Sequence, residues 1–252
     1  MSPWALLLLT SILLLLPRLL LGPARSEPCT QAQPEIHGFL RVMETLNTSY
    51  CRFWHRLSTD RWAPLPGVGP AILISNHTCG IDHMLLQAAT HRLLGFMVAR
   101  EYYEDRWIHW ICRFIGCIPV KRDGRDLSAT RAGLRALKEG RVLPIFPEGH
   151  IVPSSGRRLD ELKPGCAYLA IHSQVPVVPA YICGTPETND IIKSLMTPSR
   201  ARIIFGEPLD LSDVGRDRAG EKAALAEVSE RFKKALTALQ ARALADQESI
   251  DC

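Results

Sequence analysis

Beyond residue 60 the chain alternates short apolar runs with longer segments whose apolar residues recur every three or four positions. The runs at 71–75, 94–98, 117–121, 141–146, 177–182 and 202–206 are rich in Val and Ile and are bounded by Gly, Pro or polar residues, so they predict strands. The segments 81–91, 103–115, 126–139, 165–173 and 219–246 predict helices. The last of them carries an apolar stripe of Leu225, Val228, Phe232, Leu236, Leu239 and Ala243, the pattern of a helix packed on a core. Strands that alternate with helices give an α/β fold with a largely parallel sheet flanked by helices. Upstream, between Ile36 and Leu57, the residues Phe39, Leu40, Val42, Met43, Leu46, Tyr50, Phe53, Trp54 and Leu57 fall mostly at helical spacing, with Arg41, Arg52, His55 and Arg56 around them. That pattern serves a helix packed on the core as well as one lying in a membrane interface.

The N-terminus has no such alternation. Pro3 to Gly22 is apolar except for Thr10, Ser11, Pro17 and Arg18, and about 20 apolar residues suffice to span a bilayer as a helix. No Lys or Arg precedes the run and "GPARS" is a poor cleavage site, so an uncleaved anchor is expected over a signal peptide. Pro17-Arg18 leaves a shallow, kinked insertion open as well. Arg18 and Arg25 close the run, which under the positive-inside tendency places the remainder in the cytoplasm. The expected organisation is a membrane anchor at 1–25, a linker and amphipathic interfacial helix at 26–59, and a catalytic domain at 60–252.

Composition narrows the function. Of 252 residues, 46% are hydrophobic and 22% charged, enough for a sizeable core. A formal charge of +4 is too modest to argue for nucleic acid, though it suits an anionic substrate or membrane surface. The eight cysteines form no CxxC and no zinc-finger spacing, and several lie in apolar runs, which favours reduced, buried thiols.

Four stretches carry chemistry. In "ILISNHTCGIDHMLL", Ile72 to Leu86, a buried strand ends at Asn76-His77, and Asp82 follows across a glycine in the first turn of a helix. A histidine at the carboxyl end of a strand sits where open α/β sheets bind ligands. A carboxylate on one ring nitrogen fixes the tautomer and leaves the other nitrogen to take a proton. No nucleophile stands in a recognisable context, so the pair reads as a base acting directly on a substrate hydroxyl. In "GCIPVKR" a short strand delivers Lys121 and Arg122 to its end; in "VLPIFPEGH" a buried strand runs into a Pro-Glu-Gly turn that brings out Glu148; in "VPVVPAYICGT" two prolines bracket a β-branched pair. Taken singly, each has a bland reading as a turn histidine, a surface basic pair, a solvated glutamate or a structural strand start. A metal-dependent hydrolase with His77, Asp82 and His150 as ligands is the alternative from another class, although the histidines lack the four-residue helical spacing of a zinc site.

In this order and spacing the four stretches resemble the blocks of the glycerolipid acyltransferases, the lysophospholipid acyltransferase family. They stand here as Asn76-His77 with Asp82, Gly116 and Ile118 with Arg122, Phe146-Pro147-Glu148-Gly149, and the proline block ending in Pro179. The resemblance covers about residues 60–210. It implies an acyl thioester donor, acyl-CoA or acyl carrier protein, and a glycerol-based hydroxyl acceptor at a membrane bilayer, with no cofactor or metal. By the same resemblance His77 and Asp82 are catalytic, and Arg122, Glu148, Gly149 and Lys163 belong to the acceptor and phosphate site. The most favoured acceptor is 1-acylglycerol 3-phosphate, with glycerol 3-phosphate and neutral mono- or diacylglycerols as alternatives. One departure bears on acceptor identity: the family's Thr or Ser after the Phe-Pro-Glu-Gly block is His150 here.

Overall fold

The computed structural model describes residues 38–106, 109–115, 117–120, 127–151, 159–214 and 220–251, all within one compact unit, Pro34–Cys252. Strands β1 (Ser58–Thr59), β2 (Ala71–Ser75), β5 (Val142–Ile145), β6 (Val177–Cys183) and β7 (Arg202–Phe205) form a five-stranded sheet in the order β1-β7-β6-β2-β5. All pairs are parallel except β6 with β7. Strands β3 (Met97–Ala99) and β4 (Ile118–Val120) pair in parallel as a second small sheet, reached from the edge of the first through a bridge between Leu94 and Val142.

The central strand explains the sequence pattern. β2 is buried along its whole length, as a parallel strand covered on both faces must be, so it reads as a continuous apolar run. Leu73 joins the core beneath helices α1 (Phe39–Phe53) and α2 (Asp82–Ala88), together with Leu85, Leu86, Val178 and Phe205. Ile72 and Ile74 point the other way. They pack with Leu143, Leu137, Leu169 and Phe232 beneath α5 (Leu127–Lys138), α6 (Pro164–Ser173) and α8 (Glu221–Asp251). Ile72, Leu73 and Ile74 are all fully buried, which contributes about 1.5–3 kcal/mol each. The stripe on the last helix is realised in Val228, Phe232, Leu236, Leu239 and Ala243, all buried.

Pro179 sits inside β6, opposite Ile74. A central proline removes a ladder donor and brings a bulky ring. The ring has room because Gly206, whose N–H donates to the Pro179 carbonyl at 2.8 Å, lacks a side chain: a Cβ there would lie 2.7 Å from the proline ring.

The elements depart from the periodic pattern in three places. β1 has two residues, the helix expected over 103–115 is found as α3 (Arg100–Tyr103) and α4 (His109–Ile115), and α7 (Ile191–Met196) spans six residues. The signal for α7 was its cap, since Asp190 accepts the Lys193 N–H at 2.9 Å. The helix expected between Ile36 and Leu57 is α1. Asn47 donates to the Met84 carbonyl at 3.0 Å and Cys51 is fully buried, while Val42, Met43, Leu46 and Phe53 stay exposed.

The expected anchor at 1–25 lies outside the described residues. Among the described residues no helix is long and apolar enough to cross a membrane; α8, at 31 residues, carries charged side chains throughout. The expectation of a membrane location through a single N-terminal anchor therefore finds no spanning helix to rest on, and it is corrected here. The cysteines described, Cys51, Cys79, Cys112, Cys117, Cys166 and Cys183, are free thiols.

Candidate active site

β2 and β5 are neighbours and parallel, so the segments leaving their carboxyl ends, 76–82 and 146–150, emerge at the same edge of the sheet. The first segment is held by its own carboxylate. Asp82, fully buried at the start of α2, accepts from His77 Nδ1 through Oδ2 at 2.8 Å and from the Cys79 N–H at 3.0 Å. The Thr78 N–H and hydroxyl also donate to it, and the Cys79 thiol reaches Oδ1 at 3.4 Å. Burial alone would push the Asp82 carboxyl up, but the His77 hydrogen bond and charge, with the Thr78 donors, outweigh it and hold the carboxyl below its ordinary value. The carboxylate thus stays ionised, and Nδ1 carries the proton it donates. Nε2 is the lone-pair nitrogen. It makes no hydrogen bond among the described residues, and the side chain keeps 20% of its exposure. Burial and the Asp82 charge raise the Cys79 thiol above its ordinary value, so it is an un-ionised donor to Asp82 and no rival nucleophile.

Asn76 fixes the point where the loop leaves the sheet. The β2–β6 ladder ends with Ser75 opposite Ala180. Beyond it the Asn76 side chain donates to the Ile182 carbonyl at 2.8 Å and accepts its N–H at 2.7 Å.

Glu148 is almost wholly buried, and its carboxylate bridges two loops. Oε1 accepts the His77 N–H at 2.8 Å and Oε2 the Asp160 N–H at 3.0 Å. Burial pushes its carboxyl up, and the two N–H donors pull in the other direction. The partners expected of Glu148 were the acceptor's hydroxyl or Arg122, which lies outside the described residues; among the described residues its partners are main-chain donors. The Lys163 N–H donates to the Pro147 carbonyl at 2.8 Å, and the Lys163 side chain lies over Gly149, whose φ is +71°. That backbone conformation favours glycine, and a Cβ would in addition come within 2.8 Å of Lys163 Nζ. His150 donates through Nδ1 to the Glu148 carbonyl at 2.9 Å and places Nε2 at 3.4 Å from Asp160. Phe146 lies flat on the His77 imidazole, centroids 4.2 Å apart and planes 10° from parallel.

The structure therefore brings together His77, Asp82, Phe146, Pro147, Glu148, Gly149 and Lys163. Ile118 is buried in β4 opposite Met97, in the core shared with Ile74 and Ile145. Gly116 and Arg122 fall outside the described residues. Sequence reading missed Thr78 and Asp160 as partners; the donor-rich Thr-Cys pair between His77 and Asp82 was the signal for the first, and nothing local marked the second. Among the described residues no group of three His, Cys, Asp or Glu side chains converges as metal ligands would.

Residues 59–183 match the family model described as Acyltransferase. The chain is 30% identical over 145 residues to the 1-acyl-sn-glycerol-3-phosphate acyltransferase of Streptococcus pneumoniae (strain ATCC BAA-255 / R6), covering 57% of this chain and 51% of that protein. It is 29% identical over 176 residues to the enzyme of the same name from Bacillus subtilis (strain 168), covering 68% and 83%. The chain thus spans about half the length of the Streptococcus relative. The crystal structure of the 1-acyl-sn-glycerophosphate (LPA) acyltransferase from Thermotoga maritima superposes with a TM-score of 0.57 at 19% identity, over 77% of this chain and 78% of that one; at that identity the likeness is one of fold. The chain belongs to the glycerolipid acyltransferase family.

Proposed function

We propose that the protein transfers a fatty acyl group from a thioester donor, acyl-CoA or acyl carrier protein, to the free hydroxyl of 1-acylglycerol 3-phosphate, giving phosphatidic acid. The observation that carries this reading is the His77–Asp82 pair at the sheet's carboxyl edge, with Nδ1 donating to the carboxylate at 2.8 Å and Nε2 left for substrate. His77 removes the proton from the acceptor hydroxyl as its oxygen attacks the thioester carbonyl. The new ester C–O bond forms, the C–S bond breaks, and the thiolate takes the proton from the imidazolium. Asp82 stabilises that imidazolium in the transition state. The thiolate is a good leaving group, so the chemistry asks for no metal and no cofactor. Support for a lysophosphatidic acid acceptor comes from the activity for which the relatives are named and from the cations of the motifs. Arg122 offers a planar pair of donors to a phosphate, and Lys163 adds charge beside Gly149. Glu148 serves this site by holding its loops.

The test is a panel of acceptors with labelled acyl-CoA and acyl carrier protein, presented to purified protein in mixed micelles. The expected result is ester formation on 1-acylglycerol 3-phosphate in preference to glycerol 3-phosphate and monoacylglycerol. Transfer to the neutral lipid at equal efficiency would remove the phosphate from the reading, and thioester hydrolysis without an acylated product would remove acyl transfer altogether.

A further inference from the structure

The ring of Phe146 makes a contact that the proposed chemistry does not yet use. It covers one face of the His77 imidazole, with centroids 4.2 Å apart and planes 10° from parallel. The ring edge is claimed separately by Asp82 at Nδ1, and the main chain by Glu148. A histidine tied only through Nδ1 can still rock about that hydrogen bond. A flat neighbour removes the motion, because any tilt drives the imidazole into the phenyl face. The contact has an electrostatic side as well. The face of a phenyl ring is negative and attracts a cation lying over it, and the imidazole becomes a cation when it takes the acceptor's proton. The contact is therefore stronger after proton transfer than before it, which is the condition for lowering a barrier.

We propose that Phe146 is a positioning residue for the transfer reaction: its ring is the platform that fixes the plane of the His77 imidazole and stabilises the imidazolium formed as the acceptor hydroxyl loses its proton. This rests on the reading of His77 as the general base. It also separates two parts of the Phe-Pro-Glu-Gly block: Glu148 holds the backbone of the base, and Phe146 holds its ring.

The charged and titratable groups facing the imidazole come from two segments. Asp82, Cys79 and His83 belong to the loop and helix of the base. Glu148, with Asp160 behind it, faces the His77 N–H. None changes when residue 146 is replaced, so an altered titration of His77 reports the ring.

Two replacements test the ring. Phe146→Leu keeps an apolar side chain and removes the aromatic face. Pentafluorophenylalanine placed at position 146 keeps the shape and reverses the polarity of the face, and it serves if the leucine variant does not fold. The readout is the NMR titration of the His77 ring proton, assigned by its loss in His77→Asn, beside steady-state kinetics. A cation–π contact at a part-exposed site is about a two- to fivefold effect, so the midpoint should move to lower pH by about 0.3–0.7 of a unit in both variants. Turnover should fall by about twofold or more, with little change in the KM of either substrate. Phe146→Tyr, which restores the aromatic face, should bring the midpoint back. An unmoved midpoint in the fluorinated protein, or a midpoint that Tyr does not restore, overturns the platform. An inactive wild-type protein whose His77 midpoint still shifts would overturn the acyl-transfer reading and leave the ring contact standing, so the two failures are distinguishable.

Discussion

The carboxylate of Glu148 receives the main-chain N–H of His77 at 2.8 Å. The acid of one motif thus holds the backbone of the histidine in another, and the second oxygen carries the same support to Asp160. Two loops leaving neighbouring parallel strands are thereby bound into one unit at the sheet edge.

Replacing Glu148 with Gln removes one acceptor and sets an amide donor against a buried N–H. An unsatisfied buried group costs about 1–3 kcal/mol, so the melting temperature should drop. Turnover should fall about tenfold or more, the acceptor KM changing much less. Calorimetry alongside kinetics checks this. A large rise in acceptor KM in a protein of unaltered stability would make Glu148 a substrate ligand.

His77→Ala should lose about 10²–10⁴-fold in turnover, the usual worth of general-base catalysis, in a protein that still melts cooperatively. Near-normal turnover by the folded variant would sink the mechanism.

Asp82→Asn should also be severe in turnover, because an amide does not stabilise the imidazolium. It carries a pH signature too. The folded-state carboxyl lies below its ordinary value, so its contribution to stability is present above the ordinary carboxylate range and is lost as pH falls through the folded value. The gap in melting temperature between wild type and Asp82→Asn should therefore narrow from about pH 7 to about pH 3. Glu148, raised by burial, contributes the opposite slope and is common to both proteins, so it cancels in the comparison. A gap that widened on acidification would contradict the direction assigned to Asp82.

Arg122→Ala should raise the KM for a phosphorylated acceptor about ten- to a hundredfold and leave the donor KM nearly unchanged, as loss of a hydrogen bond to a charged group requires. Arg122→Lys should recover part of that, since the ammonium keeps the charge and loses the planar fork. Kinetics with lysophosphatidic acid and monoacylglycerol distinguish the outcomes, and equal losses on both acceptors would reject a phosphate role.

Much of this was legible in the order of residues. β2 and β6 are buried on both faces and so left unbroken apolar runs, and the stripe on α8 repeats over several turns. The His77–Asp82 pair was legible because both residues lie in one loop, where the chain itself fixes their separation. β1 and α7 were not, since two and six residues are too few to show a period. Glu148 was recognised as a functional residue with other partners in mind, because its contact with His77 depends on the neighbouring of β2 and β5, which no local pattern records, and its other partner, Asp160, stands twelve residues further on. The same holds for Phe146, whose place over the imidazole follows from that pairing.

Asn76 has a consequence for how such a site can vary. Its side chain presents to Ile182 the same donor and acceptor that a continuing strand would present through its main chain. The polypeptide can therefore turn away into the loop that carries His77 without leaving a gap in the hydrogen bonding of β6 at Ile182. Once released from the sheet, residues 78–81 are held by contacts of another kind: Thr78 and Cys79 donate to Asp82, and Cys79 and Ile81 are buried in the core beside Leu73. The chain thus exchanges main-chain pairing for side-chain pairing at one residue, and the sheet and the loop are each satisfied on their own terms.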